Sequence, residues 1–357
     1  MQLRGKRILF LVSALGGGGA ERVSSLLCEF MHEAGYSTEL LETEKHRDEY
    51  AREIHFATHS LNCSGSGFSN QFLRLLRLDS YLRKSNPDVL ISLDCSYKYL
   101  NIILKRNQFR NLKLVLSERN YSKSLYSDKT CRLYNKMYNR AAAVVFQTKE
   151  QRECYDLKLL DKTCILPNPL TKLDREWAGE SNRVVTACRL VPPKNLPLLL
   201  EAFSLFKKDH GSYVLDIYGD GPLREELMRE CGRLGINRSV TIRPFTADVH
   251  EYISTAGMFV SSSDVEGLQN ALLEAAAMGV PCVATDCDGG GAHAILDGGR
   301  RGLLVPKGDA RRLAEAMSIL ADDKPLARRL SAEASSLKDA WAADRVCASW
   351  VKFLEEV

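Results

Sequence analysis

The sequence has no stretch of about 20 predominantly apolar residues, the length a membrane-spanning helix needs. The charge-free run at residues 8–20 is too short to span. Arg4, Lys6 and Arg7 ahead of it imitate a secretory signal, but the run leads straight into Gly16–Gly19 and a helical pattern from Ala20, so it reads as a buried first strand. No C-x-x-C pair occurs among the eleven cysteines, an odd number without framework spacing. That argues against structural zinc and disulfides, and for reduced thiols in a cytosolic protein. Low-complexity segments and short-period repeats are also missing. Apolar residues at 45 %, charged at 26 % and aromatic at 8 % exclude disorder, collagen-like repeats and small disulfide scaffolds.

What is present is a chain long enough for two cores: 357 residues against a prior of about 150 per domain. Its net charge of +4 is unevenly placed, with 26 Lys/Arg against 18 Asp/Glu in residues 1–170 and 23 against 27 in residues 171–357. Between 101 and 140 stand Lys105, Arg106, Arg110, Lys113, Arg119, Lys123, Lys129, Arg132, Lys136 and Arg140, opposed by Glu118 and Asp128. Such a run is either a solvated face or a surface for an anionic partner: a membrane, a phosphorylated lipid or nucleic acid. No zinc-finger spacing or aromatic-rich RNA signature supports nucleic acid, and none is expected as a partner.

Short apolar runs bounded by turn residues alternate with helical periods throughout. Strands are expected at 7–13, 36–43, 88–93, 113–117, 143–147 and 163–166, then at 183–189, 213–218, 239–243, 258–262, 281–285 and 303–305. Helices fall between them, among them 21–34, 70–84 and 128–140. Continuously apolar strands separated by helices indicate parallel sheets covered on both faces. The expected fold class is α/β, two doubly wound Rossmann-like domains in series. Leu166-Pro167-Asn168-Pro169 marks the linker, giving domains 1–168 and 169–339. A last helical stretch, 340–357, carries Trp341, Trp350 and Phe353 and is expected to pack back on the N-terminal domain.

Two segments could carry chemistry. Gly16, Gly17, Gly18 and Gly19 follow a strand and open a helix, where backbone N–H groups approach an anion. The G-x-G-x-x-G register is missing, since Glu21 takes the third-glycine place, and a tight turn remains the plain alternative. The stronger segment runs S-S-D-V-E-G-L-Q-N-A-L-L-E from Ser262 to Glu274. Glu266 and Glu274 lie eight residues apart, roughly 12 Å along a helix, too far to work on one atom. The distance suits gripping the two ends of a nucleotide sugar, with amides at Leu268, Gln269 and Asn270 facing a diphosphate between them. Two surface glutamates would not need the Gly267 turn.

Glu266 to Glu274 resembles the E-x7-E motif of retaining glycosyltransferases with the GT-B fold, and nearly the whole chain resembles glycosyltransferase family four. The glycine loop, Pro167-Asn168, Arg189-Leu190 with Lys194-Asn195, Gly219-Asp220-Gly221-Pro222 and Gly302-Leu303-Leu304-Val305 are similar to the family's motifs in the family's order. The resemblance implies two domains facing each other across a cleft, with the donor mainly on the C-terminal one. It places Arg189 and Lys194 on the donor diphosphate, and makes Gly16, Gly17, Gly18, Gly19, Gly219, Gly267 and Glu274 donor-binding. It further implies retaining, metal-independent transfer of a hexosyl or N-acetylhexosaminyl unit from a nucleotide diphosphate sugar, UDP-linked, to a hydroxyl of a lipid-diphosphate-linked glycan in cell-surface polysaccharide assembly. No cofactor is implied, and the location implied is the cytoplasm, peripheral on the inner face of the membrane.

Asp286-Cys287-Asp288 spells the D-x-D metal motif of the other large glycosyltransferase fold, but beside Glu266 and Glu274 it reads as a loop near the donor. His55-x3-His59 has ligand spacing without a third ligand. Where the family often places a histidine, this chain has Ser117-Glu118-Arg119-Asn120; Glu118 is either an acceptor-side base or a partner for Arg119. Residues 71–84 pattern as a basic amphipathic helix, with Arg74 and Arg77 among leucines, which suits a membrane surface or a core-facing helix with solvated arginines. The rival readings are a nucleotide-sugar epimerase and a non-catalytic glycosyltransferase-like subunit.

Overall fold

A computed structural model of the chain describes residues 3–15, 19–44, 55–63, 68–93, 100, 109–120, 122–158 and 160–356. The chain divides into two compact units, Met1–Pro169 together with Ala343–Val357, and Leu170–Ala342. No helix among the described residues is long and apolar enough to cross a membrane.

The first unit is built on a parallel sheet of β1 (Arg7–Val12), β2 (Ser37–Glu42), β3 (Ala57–Ser60), β4 (Val89–Ser92), β5 (Lys113–Ser117), β6 (Ala143–Phe146) and β7 (Thr163–Ile165), in the order β3-β2-β1-β4-β5-β6-β7. Strands β4 and β6 are buried at every position, as a sheet covered on both faces requires. Strand β3 was not expected. It is an edge strand of sequence Ala-Thr-His-Ser, largely exposed, so it carries no apolar run to reveal it. The helix Ala343–Glu356 belongs to this unit: Trp350 is 1 % exposed, and Tyr36 Oη donates to Glu355 at 2.8 Å.

In the helix Phe68–Ser85 one arginine, Arg74, does not face solvent, whereas Arg77, Arg83 and Lys84 do. Leu78 and Leu82 are fully buried, and Arg74, 9 % exposed, turns inward to an ion pair with Glu44 at 3.3 Å. Arg77 donates to the carbonyls of Leu61 at 2.7 Å and Asn62 at 3.1 Å. Phe72, Leu73 and Leu76 point to solvent instead. Helix amphipathicity says which residues share a face, but not that an arginine's carbonyl or carboxylate partners lie on neighbouring loops. Arg110, Lys113, Lys123, Lys129, Arg132, Lys136 and Arg140 are exposed, Arg119 is buried, and Lys105 and Arg106 lie outside the described residues.

The second unit holds β8 (Arg183–Ala187), β9 (Val214–Tyr218), β10 (Val240–Arg243), β11 (Met258–Ser261), β12 (Cys282–Asp286) and β13 (Leu303–Pro306), all parallel, in the order β10-β9-β8-β11-β12-β13. One face of this sheet is packed by Leu199, Phe203, Phe206, Leu313 and Met317, the other by Leu272, Leu273, Ala276, Ile295 and Leu296. Burying a side chain such as Leu or Phe contributes about 1.5–3 kcal/mol, so these layers fix the strand ends that carry the loops described next.

Candidate active site

Strand β8 sits between β9 and β11, so the connections leaving β8 and β11 diverge to opposite sides of the sheet. In open parallel sheets a ligand crevice forms at the carboxyl ends of such strands. The turn after β8 carries Arg189, Lys194 and Asn195; the one after β11 carries Asp264, Glu266 and Gly267. The topology thus brings together two segments more than 60 residues apart.

Glycines set the height of the Arg189 turn. Gly219 has φ +145°, and a Cβ there would collide with the carbonyl of Cys188; a Cβ on Gly221 would meet that of Leu190. Glycine is required where backbone approaches backbone this closely. Leu190 N donates to Asp220 O at 2.8 Å and Cys188 N to Tyr218 O at 3.0 Å, so the residue between them is held on both sides. Arg189 itself is exposed and forms no ion pair among the described residues. Gly219 therefore positions the arginine by supporting its backbone.

Lys194 ends the turn Pro192–Lys194, and its ammonium pairs with the Glu266 carboxylate, each side chain only 16 % exposed. Burial pushes the Lys194 ammonium below the ordinary lysine range, and the nearby Arg189 charge adds to this. Asn195 takes the left-handed conformation (φ 42°). Its side-chain oxygen caps the helix Leu196–Phe206 by accepting from Leu198 N, and its Nδ2 donates to both oxygens of Asp264 at 3.0 Å. Ser262 Oγ donates to Lys194 O at 3.0 Å and Asp264 N to Pro193 O at 2.9 Å. The two turns are thereby tied into one frame.

The loop bearing Glu266 is also bound to the D-x-D segment. Glu266 N donates to Asp288 O at 2.9 Å, and Asp288 N to Asp264 O at 3.0 Å. The Asp288 carboxylate meets Lys307, whose pKa it raises, while Asp286 faces His293 at 3.5 Å. Among the described residues no cluster of three or more His, Cys, Asp or Glu is arranged to hold a metal.

The helix of the E-x7-E segment starts later than the sequence suggests. It spans Asn270–Ala277, with Gln269 as its N-cap, so Glu266 lies in the preceding loop and the estimate of about 12 Å from helical rise does not apply. Gly267 is buried because the helix Gly291–Leu296 starts against it; a Cβ on Gly291 would collide with the Gly267 carbonyl. Leu268 is buried, and the Gln269 side chain turns toward the sheet, accepting from Ser261 Oγ at 2.6 Å. Glu274 is buried in the helix and bonded at 2.9 Å by His250 Nε2. Sequence reading missed His250, Asp264 and Lys307. Each makes its contact across a long sequence separation, which no local spacing discloses.

On the first unit, Gly16, Gly17 and Gly18 lie outside the described residues, and Gly19 opens the helix Gly19–Glu33. Glu118 is 4 % exposed. Its carboxylate accepts from the Tyr138 hydroxyl at 2.9 Å, from the Tyr155 hydroxyl, and from Asn120 N at 2.9 Å. Arg119 donates to Asn168 Oδ1 at 2.8 Å and lies over the Trp350 ring, 5.4 Å from its centroid.

Residues 181–323 match the model of the glycosyl transferases group 1 family. The two-unit α/β fold is that of the GT-B glycosyltransferases. HepE of Anabaena, solved with UDP and glucose, superposes with a TM-score of 0.83 at 16 % identity, covering 99 % of this chain and 100 % of that one. Among sequence relatives, an exopolysaccharide phosphotransferase of Streptomyces coelicolor is 33 % identical over 202 residues, which is 56 % of this chain. The match spans only 21 % of the Streptomyces protein's own length. The N-acetylgalactosamine-N,N'-diacetylbacillosaminyl-diphospho-undecaprenol 4-alpha-N-acetylgalactosaminyltransferase of Campylobacter jejuni is 24 % identical, over 98 % of this chain and 99 % of that protein.

Proposed function

We propose that this chain is a retaining, metal-independent family-four glycosyltransferase, moving a hexosyl or N-acetylhexosaminyl unit from a UDP-sugar to a hydroxyl of a lipid-diphosphate-linked glycan. The observation that carries the reading is the meeting of Lys194 with Glu266 near Arg189, which has no ion pair among the described residues, at the carboxyl ends of β8 and β11. An ammonium has three protons, so Lys194 bonded to Glu266 still has two for phosphate oxygens. Arg189 adds a planar fork suited to the same diphosphate. Glu266 is assigned to hydroxyls of the transferred sugar and Glu274 to those of the nucleotide ribose.

In the proposed reaction the acceptor hydroxyl attacks the anomeric carbon from the face the phosphate is leaving. The bond from that carbon to the phosphate oxygen breaks, and the leaving phosphate takes the acceptor proton. Negative charge grows on the diphosphate, where Arg189 and Lys194 stabilise it more strongly than in the ground state. Because Asp286 and Asp288 are engaged by His293 and Lys307, the two cations are assigned this work without a metal. The buried Glu118, held by Tyr138, Tyr155 and Asn120, suits anchoring the segment after β5, so it is assigned a positioning role and the phosphate the role of base.

The UDP-bound Anabaena neighbour and the diphospho-undecaprenol substrate in the Campylobacter relative's name support the choice of probes. Radiolabelled UDP-glucose and UDP-N-acetylglucosamine, with and without undecaprenyl-diphosphate-linked glycan, test the reading. Expected is label in the lipid fraction, with the anomeric configuration of the donor kept. An epimerised sugar nucleotide formed without acceptor would establish the epimerase reading instead, and an inverted product would overturn retention.

A further inference from the structure

We propose that His250 is a positioning residue for the donor, holding Glu274 so that it reads the vicinal hydroxyls of the nucleotide ribose; this rests on the donor site proposed above. The histidine lies on the short helix Val249–Ser254 that follows β10, 24 residues before Glu274. Its Nε2 stands 2.9 Å from Glu274 Oε2, with the Glu274 side chain 8 % exposed and that of His250 29 % exposed.

The mount of this histidine is rigid and shared with the arginine turn. Two residues on, Tyr252 stacks on Tyr218, ring centroids 4.9 Å apart and planes at 24°. Tyr218 ends β9 immediately before Gly219, the residue that supports Arg189. Ile253 and Ala256 are fully buried in the same cluster as Leu272 and Leu273 of the Glu274 helix. One apolar layer therefore fixes His250 against Glu274, and one aromatic pair fixes it against the diphosphate side.

A glutamate side chain alone has three rotatable torsions, so its carboxylate plane is poorly defined. Accepting from two adjacent hydroxyls at once needs that plane set beforehand. A hydrogen bond from an anchored imidazole does this. A carboxylate serving only as a core ion pair would have no reason to favour one sugar over another.

Calorimetric titration of the full chain with UDP and with 2′-deoxy-UDP decides the matter. Wild type should bind UDP about tenfold more tightly than the deoxy compound, the scale of one hydrogen bond to a charged group. His250→Ala should lose most of this preference by weakening UDP binding about tenfold, with deoxy-UDP little changed. His250→Gln, whose amide nitrogen reaches the Nε2 position, should restore it and should melt within a few degrees of wild type. In turnover the alanine variant should raise donor KM and leave kcat near wild type. Equal weakening of UDP and deoxy-UDP, or an unchanged preference in His250→Ala, would overturn the role. If Glu274→Ala lowered UDP affinity in that same experiment while His250→Ala did nothing, the donor site would stand without it. Failure of wild type to bind either nucleotide would overturn the donor site as well.

Discussion

Replacing Lys194 by Met separates what the Lys194–Glu266 pair does for folding from what it does for catalysis. Both side chains are 16 % exposed, so removing the ammonium strands a carboxylate in a largely dry loop. Breaking a buried pair costs about 3–5 kcal/mol, and the residual exposure favours the lower end, about 3 kcal/mol. At about 2–4 °C per kcal/mol for a unit of this size, the melting point of Lys194→Met should fall by roughly 6–12 °C. Adding Glu266→Gln removes the stranded charge. The double variant should therefore regain most of the loss and lie within about 1 kcal/mol of wild type, since hydrogen-bonded neutral groups bury cheaply. Turnover should behave differently. Loss of the cation at the leaving group should cost about 10²–10³-fold in Lys194→Met, and the double variant should recover none of it. Calorimetric melting and steady-state transfer, run on the same three proteins, make the comparison. A double variant as unstable as Lys194→Met would deny the coupling, and near-normal turnover in either protein would deny the diphosphate role.

Three further outcomes are expected. Because burial holds the Lys194 pKa down, its charge is lost at lower pH than an ordinary lysine's, so donor KM should rise on the alkaline side; Lys194→Arg, which stays charged, should move that limb upward, and an unmoved limb would assign it elsewhere. Transfer should persist in excess EDTA and in Asp288→Asn, the aspartate being taken by Lys307; strict dependence on manganese or magnesium would reverse this. If the first unit works at an anionic membrane, the outward Phe72 and Leu76, not the inward Arg74, make the contact, so Phe72→Ser with Leu76→Ser should abolish flotation with anionic vesicles; unchanged flotation would place the contact on another face.

Most strands announce themselves in the sequence because each is a short apolar run closed by turn residues, and the central strands of a parallel sheet have no solvent face to interrupt the run. The edge strand Ala57–Ser60 escapes for the same reason, being largely exposed. In the site, Arg189, Lys194, Glu266 and Glu274 are legible through motif spacing, and the structure joins Lys194 to Glu266. What spacing does not convey is where the helix begins. Gln269, whose side chain turns to Ser261, delays it to Asn270, which moves Glu266 onto the loop. His250 on Glu274, Asn195 on Asp264 and Lys307 on Asp288 are invisible for a different reason: each pair is made by sheet order, which only the folded topology supplies. The inward turn of Arg74 belongs to the same class, since its partner Glu44 follows the second strand.

The most direct test is a crystal structure of the full chain soaked with UDP. The diphosphate is expected at the carboxyl ends of β8 and β11, with its oxygens within about 3 Å of the Arg189 guanidinium and the Lys194 ammonium, and the ribose hydroxyls on Glu274. Density for UDP at any other place, with Lys194 still bonded only to Glu266, would contradict the account.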